Sequence, residues 1–498
     1  MNAIQIALGL VFEPSVLVTI LFAALFGIVV GAIPGLTATM AIALLVPVTF
    51  FMDPVPAVGA MVTCSAMAIF AGDIPGTLLR IPGTPASAAY TDEAYQMTRN
   101  GEGETALGAN LLFSAIGGLF GTFVLILAAP ALAEVALQFS SYEYFWLALL
   151  GLTCAVFIGT SSPVKGLVSL FIGLFVSTIG LNNPAGVPRF TFGNVELTGG
   201  VDFIAAMIGL FAVSEVFRFV ISPSVLATPQ AVVGSLFRNW GGMAVRYWRQ
   251  QIRGNILGTA IGTLPGAGAD IAAWVSYAVS KKMSRTPEKF GKGHLEGIIE
   301  STSSNNAALA GAWVPALVFG IPGDSITAIV IGVLYLKNMN PGPTIFMENP
   351  QYIYAVFIIF ILANVVMIPL GWGAIKVARY ILRIPREILM PCILMFCIVG
   401  AFAINNSTFG IVVMLLFGVL GFLMEENEIP VAPCILGIVL GPLLEENFVT
   451  SMIKSDGSFL GFVERPISGF LALVTIAVWV LPLILSLRSR RKDPVPGH

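Results

Sequence analysis

Charged residues are scarce in this chain. Only 10% of its 498 residues are Asp, Glu, Lys or Arg, whereas 57% are hydrophobic and the mean hydropathy is +0.90. Soluble domains carry roughly 25% charged residues, so this composition excludes a soluble globular protein. Long stretches without charge recur, and several reach the ~20 residues that a helix needs to cross the hydrocarbon of a bilayer. Because lipid offers no partner to unpaired backbone groups, we predict an all-α polytopic membrane protein with about 12 membrane segments.

Residue types suited to metal binding and nucleophilic catalysis are also scarce. The chain has two histidines, His294 and His498, and five cysteines that lie in apolar runs without the spacing of a metal site or a disulfide framework. It has no G-x-x-x-x-G-K-[ST] loop to hold nucleotide phosphates. We therefore predict that the protein is not an enzyme or an ATPase, needs no cofactor and binds no nucleic acid. An intramembrane enzyme is the distant alternative.

Basic residues are unevenly distributed. No Lys or Arg precedes Arg80, so the N-terminal region lacks the basic segment of a cleavable signal peptide, and we expect the first hydrophobic segment to stay in the membrane. Seventeen of the 25 Lys and Arg residues fall in four windows, 238–253, 281–292, 376–387 and 488–493. The positive-inside rule places these windows in the cytoplasm, which puts the C-terminus inside and the N-terminus outside.

What the sequence does contain is a repeated pattern of Pro-Gly breaks within apolar segments. Gly31-Ala-Ile-Pro-Gly recurs 231 residues later as Gly262-Thr-Leu-Pro-Gly, and 81–88 recurs 240 residues later as 321–328. The apolar stretch 254–280 lies between two cytoplasmic windows, so it must enter the membrane and return. We predict that it forms a re-entrant hairpin that turns at its Pro-Gly pair.

The repeated breaks predict an organisation in two halves. The predicted parts are a first transmembrane repeat (1–222), a cytoplasmic linker (223–253), a second transmembrane repeat (254–487) and a basic cytoplasmic tail (488–498). The charge pattern puts the starts of the two halves on opposite sides of the membrane, so we predict that the repeats are inverted. Inverted repeats with helices broken at matching positions are typical of secondary transporters.

The breaks are also where we expect substrate to bind. A Pro-Gly turn inside the bilayer frees backbone groups, and the N–H groups that begin the following helix suit a carboxylate. Hydroxyl groups lie beside the breaks and add neutral hydrogen-bond donors. The predicted substrate-binding residues are Pro34, Gly35, Thr37, Thr39, Arg80, Pro82, Gly83, Thr84, Ser87, Pro265, Gly266, Gly268, Pro322, Gly323, Ser325 and Thr327.

A second set of residues is predicted to couple transport to an ion. Hydroxyl and amide oxygens are the hard ligands that Na⁺ prefers, and the segment STSSNN at 301–306 concentrates them. Acids in apolar surroundings are costly and usually functional, and Asp73, Asp270 and Asp324 each lie near a break. The predicted ion-coupling residues are Thr63, Ser65, Asp270, Ser303, Ser304, Asn305, Asn306 and Asp324. We favour Na⁺ over protons, for which Asp270 and Asp324 would titrate; helix packing is the alternative role of each hydroxyl.

Several segments, taken in order, carry a resemblance to a known family. They are the paired G-x-x-P-G segments, Ala-Gly-Ala-Asp-Ile-Ala-Ala-Trp-Val-Ser-Tyr at 267–277, His-Leu-Glu-Gly-Ile-Ile-Glu-Ser at 294–301 and Phe-Gly-Ile-Pro-Gly-Asp at 319–324. They resemble the large membrane subunit of tripartite tricarboxylate transporters, and the similarity covers almost the whole chain.

The resemblance implies a set of partners and an activity. The partners are a small membrane subunit and a periplasmic solute-binding protein, in a bacterial inner membrane whose lipid surrounds the chain. The implied activity is ion-gradient-driven import of organic di- or tricarboxylates such as citrate, without ATP. A carboxylate-permeable channel and a standalone secondary carrier for another small anion are the alternatives.

Overall fold

The structure is a computed structural model that describes residues 3–157, 162–181, 183–221, 240–382 and 386–490. Across these ranges the chain is helical, and the extended pairing consists of one isolated bridge between Gly180 and Arg189. The all-α prediction is therefore confirmed. Residues 223–239 of the predicted linker and 491–498 of the predicted tail lie outside the described residues.

The described residues contain 23 α-helices, which are labelled in chain order. The first eleven are α1 (Ala3–Val11), α2 (Pro14–Ala32), α3 (Ala38–Thr49), α4 (Pro54–Ala71), α5 (Asp73–Leu79), α6 (Thr91–Arg99), α7 (Gly103–Ala136), α8 (Ser141–Phe157), α9 (Pro163–Ser177), α10 (Phe203–Ile208) and α11 (Ser214–Ile221). The others are α12 (Trp240–Arg246), α13 (Trp248–Gly262), α14 (Gly268–Met283), α15 (Leu295–Phe319), α16 (Ser325–Leu336), α17 (Ile345–Glu348), α18 (Pro350–Ile381), α19 (Arg386–Asn405), α20 (Thr408–Glu426), α21 (Val431–Lys454), α22 (Gly461–Glu464) and α23 (Pro466–Arg490).

Eight helical segments of the described chain are long and apolar enough to cross a membrane. They are Pro14–Ala32, Pro54–Leu79, Gly103–Ala136, Phe203–Ile221, Pro350–Ala378, Glu387–Ile404, Thr408–Glu426 and Val431–Lys454. Five shorter apolar helices accompany them: Ala38–Thr49, Ser141–Val156, Pro163–Ser177, Ser325–Leu336 and Pro466–Val480. By length and composition the chain is a multi-pass membrane protein, whereas the predicted number of about 12 segments is not confirmed.

The chain forms two compact units. Unit 1 consists of Met1–Leu137 and Asp202–Asn427, and unit 2 of Gln138–Val201 and Glu428–His498. Each unit therefore combines chain from both predicted halves. In unit 1, α4 packs on α2 and α18, while α15 packs on α7, α13 and α14. In unit 2, α21 packs on α8 and α9.

The predicted sequence repeat reappears as a repeated packing contact. Two glycines of α2 touch the backbone of α4, and two glycines of α13 touch the backbone of α15. The glycines of α13 follow those of α2 by 231 residues, and their contacts on α15 follow those on α4 by 240 residues. The pairs are Gly27 with Cys64, Gly31 with Ala68, Gly258 with Ser304 and Gly262 with Ala308. A Cβ added to these glycines would lie 2.3 to 2.6 Å from a carbonyl oxygen of the partner, so a larger residue would separate the helices. That the halves are inverted in the membrane stays a prediction.

The Pro-Gly breaks at Pro34-Gly35 and Pro265-Gly266 form matching tight turns between consecutive helices. The Leu36 N–H donates to the Ile33 carbonyl at 3.1 Å, and the equivalent bond of the second turn, from Ala267 to Leu264, is also 3.1 Å. Gly35 and Gly266 have φ values of 87° and 78° at the third position of these turns. Proline followed by a glycine with positive φ is the pattern of a type II turn. Both breaks are therefore helix–turn–helix hairpins, α2–α3 and α13–α14; their re-entrant position in a membrane stays a prediction.

Candidate functional site

The two loops that follow α5 and α15, residues 81–87 and 321–327, share one hydrogen-bond pattern. In the second loop the Thr327 N–H donates to the Asp324 Oδ1 at 2.8 Å, and the Asp324 N–H donates to the Thr327 Oγ1 at 2.9 Å. In the first loop Thr84 and Ser87 exchange the same pair of bonds, each 3.1 Å long. In the second loop this reciprocal arrangement is the capping box that begins α16, and the first loop has the same pair of bonds at the 3₁₀ turn Ser87–Ala89. The second pair lies 240 residues after the first, which is the offset of the sequence repeat, so the local structure repeats with the sequence.

Each loop is contacted by the first turn of the hairpin helix from the other half. The Ala86 N–H donates to the Asp270 Oδ1 on α14 at 3.1 Å, and the Thr39 Oγ1 on α3 lies 3.1 Å from the Ser325 Oγ. Thr39 and Asp270 are 231 residues apart, which is the offset between the hairpins. The two contacts thus join corresponding helices and loops, but on the loops they fall one position apart, because Ser325 corresponds to Pro85 and Ala86 to Ile326. We call Thr39, Ala86, Asp270 and Ser325 the junction, because they bring both breaks and both loops together within unit 1.

The predicted substrate-binding residues differ in their accessibility around the junction. Gly35, Arg80 and Pro82 are exposed, and Thr37, Thr39, Gly266 and Ser325 are half-buried. The buried ones are Pro34, Gly83, Thr84, Ser87, Pro265, Gly268, Pro322, Gly323 and Thr327. The predicted residues therefore do not form one uniformly accessible surface. Their binding roles stay predictions.

Arg80 differs from the other predicted substrate-binding residues because its side chain pairs with an acid on α6. It follows α5, beyond the candidate span Pro54–Leu79, and its backbone is left-handed with φ of 62°. Its Nε donates to the Asp92 Oδ1 at 2.8 Å, and both side chains are exposed. This hydrogen bond to Asp92 raises the pKa of the Arg80 guanidinium. In this conformation the guanidinium is bound to Asp92 and does not contact the junction.

Two acids lie at the second hairpin. Asp270 is exposed and Asp324 is half-buried, and the two carboxylates are near enough to repel each other. Gly268, the first residue of α14, has φ of 59°, and a Cβ added there would lie 2.6 Å from the Asp324 Cβ. The start of α14 therefore rests directly on the second loop. At the positions equivalent to the acids the first half has Thr39 and Thr84, which are neutral.

The predicted ion-coupling residues of α4 and α15 are buried, and they divide into two groups by hydrogen bonding. The hydroxyls of Ser65, Ser303 and Ser304 donate to the carbonyls of Met61, Phe113 and Ala272. By contrast Thr63 Oγ1, Asn305 Oδ1 and Asn306 Oδ1 are buried oxygens without a hydrogen-bond partner among the described residues. Buried polar atoms are normally paired, so unpaired oxygens are the better candidates for ligands. Their role in ion binding stays a prediction.

A buried polar cluster joins the two halves beside the first loop. The Tyr90 hydroxyl donates to the Asp73 Oδ1 at 2.6 Å, and the Thr302 hydroxyl donates to the Asp73 Oδ2 at 3.1 Å. The Ser114 Oγ lies 2.9 Å from the Thr302 Oγ1, and the Asn305 Nδ2 donates to the Tyr90 oxygen at 3.4 Å. We call Asp73, Tyr90, Ser114, Thr302 and Asn305 the Asp73 cluster.

Sequence reasoning found only part of this cluster. It noted Asp73 as an acid near a break and included Asn305 among the ion-coupling residues. It missed Tyr90, Ser114 and Thr302, of which Thr302 had a signal because it belongs to the polar segment 301–306. Within the part of the chain that the structure describes, His, Cys, Asp and Glu form no group of three or more that suits a metal ion.

Comparisons with known proteins give the chain a family context. Residues 17–436 match the family model described as the tripartite tricarboxylate transporter TctA family. The chain is 36% identical over 467 residues to an Agrobacterium vitis protein described as an uncharacterized 52.8 kDa protein in the TAR-I ttuC' 3' region, covering 94% of this chain and 93% of that protein. A second A. vitis protein, from the TAR-II ttuC' 3' region, is 34% identical over 234 residues, or 47% of this chain and 97% of its own length. No solved structure matches the chain.

Proposed function

The chain belongs to the tripartite tricarboxylate transporter TctA family, and from this premise we propose that it is the large permease subunit of a binding-protein-dependent importer of organic di- or tricarboxylates. It works in the bacterial inner membrane with a small membrane subunit. A periplasmic solute-binding protein delivers the carboxylate, and a Na⁺ gradient drives uptake. The family is one of transporters, which agrees with the absence of a nucleotide-binding loop in the sequence.

The observation that carries this proposal is the junction. Two contacts of 3.1 Å, each between one half and the other, bring together the loops and hairpins that the sequence repeats. Secondary transporters bind substrate and ion where broken helices of two repeats meet. The hydroxyls of Thr37, Thr39 and Ser325 are half-buried there and offer neutral donors to a carboxylate.

The charge around the junction supports coupling to a cation. Asp270 and Asp324 would repel a carboxylate substrate at this place, whereas Arg80 is bound to Asp92. Like charges repel by about 4 kcal/mol at ~4 Å in surroundings of intermediate dielectric. A Na⁺ that binds with the substrate removes much of this repulsion. The unpaired oxygens of Thr63, Asn305 and Asn306 are further candidates to hold it.

The test is uptake into proteoliposomes that contain this chain and its small subunit. Purified binding protein and a panel of labelled carboxylates, with citrate among them, are added outside. We expect uptake of at least one di- or tricarboxylate that needs both the binding protein and external Na⁺ at fixed pH. We expect Asn305→Ala to lower this uptake sharply, and Asp324→Asn to retain part of the Na⁺-dependent uptake.

The alternatives give different results in the same vesicles. A channel would conduct carboxylate down its own gradient, and a Na⁺ gradient could not drive carboxylate accumulation inside the vesicles. A standalone carrier would take up its solute equally well without the binding protein. Uptake that persisted in Na⁺-free medium, followed the pH gradient and disappeared in Asp324→Asn would identify protons as the coupling ion and contradict the proposal.

A further inference from the structure

Asp73 differs from the other buried acids of the described chain. Four acids are buried there: Asp73, Glu93, Glu143 and Glu300. Glu143 pairs with Arg465 and Glu300 pairs with Arg253. Glu93 accepts hydrogen bonds from three backbone N–H groups and from the Tyr277 hydroxyl. Each of these three carboxylates therefore has a cation or a set of backbone donors to stabilise its charge.

Asp73 has neither kind of partner. Its two oxygens accept from the hydroxyls of Tyr90 and Thr302, and among the described residues no Lys, Arg or His pairs with it. The residue is 2% exposed and lies inside the candidate span Pro54–Leu79. A buried charge without compensation is strongly unfavourable, so a cation must accompany this carboxylate whenever it is ionised.

Neutral side chains that could offer oxygens to such a cation hydrogen-bond to Tyr90 and Thr302, the two partners of Asp73. The amide of Asn305 is 1% exposed, its nitrogen donates to Tyr90, and its Oδ1 has no partner. Asn305 and Thr302 are three residues apart on α15, which places them on one helix face. The Ser114 hydroxyl on α7 adds another oxygen next to Thr302. An unpaired buried amide oxygen is costly, and this cost disappears when the oxygen coordinates a cation.

We propose that the Asp73 cluster binds one Na⁺ through the Asp73 carboxylate and the oxygens of Thr302, Ser114 and Asn305. A single carboxylate balances the charge of one monovalent cation, and the neutral oxygens complete its coordination. This inference rests on the proposed function, because it assigns the coupling ion of that transport to a defined site.

The position of the cluster explains how the ion acts on the substrate region. Tyr90 comes directly after the 3₁₀ turn Ser87–Ala89, and that turn ends the first loop of the junction. Asp73 begins α5. This helix ends at Leu79, and Arg80 connects it to the same loop. Na⁺ at this cluster is therefore connected to the chain on both sides of the loop that carries Ala86, through Asp73 before the loop and through the hydrogen bond from Tyr90 after it.

The experiment measures Na⁺ binding by the purified full chain, separately from transport. Binding of ²²Na⁺ is followed by scintillation proximity, and Na⁺-dependent thermal stabilisation is measured against K⁺ at equal ionic strength and fixed pH. Asp73→Asn keeps the shape of the side chain and removes its charge. We expect its Na⁺ affinity to fall by about 100-fold or more, because the buried ion loses its counter-charge.

Two further variants complete the test. Asn305→Leu removes the unpaired oxygen without altering the acid, and we expect it to weaken Na⁺ binding by about tenfold. The matched control is Glu428→Gln, which neutralises an acid paired with Lys165 on the surface of unit 2, and we expect it to bind Na⁺ like the wild type. Variants are compared only as monodisperse protein, and Asn305→Leu carries the test if Asp73→Asn does not fold.

The outcomes separate this inference from the proposed function. Wild-type protein that binds no Na⁺, or variants that bind it as tightly as the wild type, would overturn the site. Wild-type vesicles that take up no carboxylate would contradict the proposed function. Loss of ²²Na⁺ binding in Asp73→Asn would still support the site in that case.

Discussion

The contact between Gly268 and Asp324 offers a direct test of whether the second hairpin must rest on its loop for transport. We predict that Gly268→Ala impairs uptake although it adds a single methyl group. The new Cβ would lie 2.6 Å from the Asp324 Cβ, and two carbon atoms normally approach to about 3.5–4.0 Å. The start of α14 must therefore move by roughly 1 Å, and overpacking of this kind costs about 1–3 kcal/mol. If that cost falls on the transport-competent state, uptake decreases by about tenfold to 100-fold.

The matched control for this substitution is Gly101→Ala. Gly101 also has a positive φ, 81°, but a Cβ added there would meet no atom within 4 Å. Both variants therefore share the cost of placing alanine in left-handed backbone, about 1–2 kcal/mol, and only Gly268→Ala adds the clash. Initial uptake rates in proteoliposomes and thermal unfolding in detergent are measured for both. Equal uptake by Gly268→Ala and Gly101→Ala would refute the argument that this contact positions the site.

The remaining predictions concern the turns, the topology and a buried ion pair. Replacing Gly35 or Gly266 with Val should abolish uptake while the amount of inserted protein stays unchanged, because a β-branched residue is strained at positive φ and blocks approach to the backbone; normal uptake would make these turns simple kinks. A cysteine at Lys282 should resist a membrane-impermeant maleimide in intact cells and react after permeabilisation, since this window is predicted to be cytoplasmic; labelling of intact cells would contradict that topology. Arg253→Ala should destabilise the chain by about 3–5 kcal/mol in detergent unfolding, because Glu300 keeps a buried charge without its partner, and adding Glu300→Gln should restore part of the loss.

The features that could be predicted from the sequence depend on local chemistry. A Pro-Gly pair favours a tight turn, and the hairpin at Pro265-Gly266 was predicted from such a pair between two basic windows. The pair alone does not decide the outcome, because Pro75-Gly76 lies within α5. The paired loops followed from repetition, because residues at one offset make the same capping bonds. In both cases each hydrogen bond links residues close together in the chain.

The features that could not be predicted depend on which distant elements meet. Asp73 and Thr302 are 229 residues apart, and neither residue carries a pattern that names the other. Arg80 was a reasonable candidate to bind an anionic substrate, but its side chain pairs with Asp92 on α6. Only the path of the loop between them brings these two residues together. The division into two units likewise depends on the packing of α21 on α8 and α9, which no periodicity in those helices predicts.

The repeated architecture separates the scaffold of the candidate site from its chemistry. Hairpin turns, capping boxes and glycine contacts are the same in both halves, so they define geometry rather than specificity. At these two positions of the repeat the first half has the neutral Thr39 and Thr84, whereas the second half has Asp270 and Asp324. Acids at a carboxylate site weaken binding of the substrate unless a cation is present, so they make substrate affinity depend on the ion. A symmetric scaffold with acids on one side thus provides, in its own residues, a physical reason for the substrate and the cation to bind together.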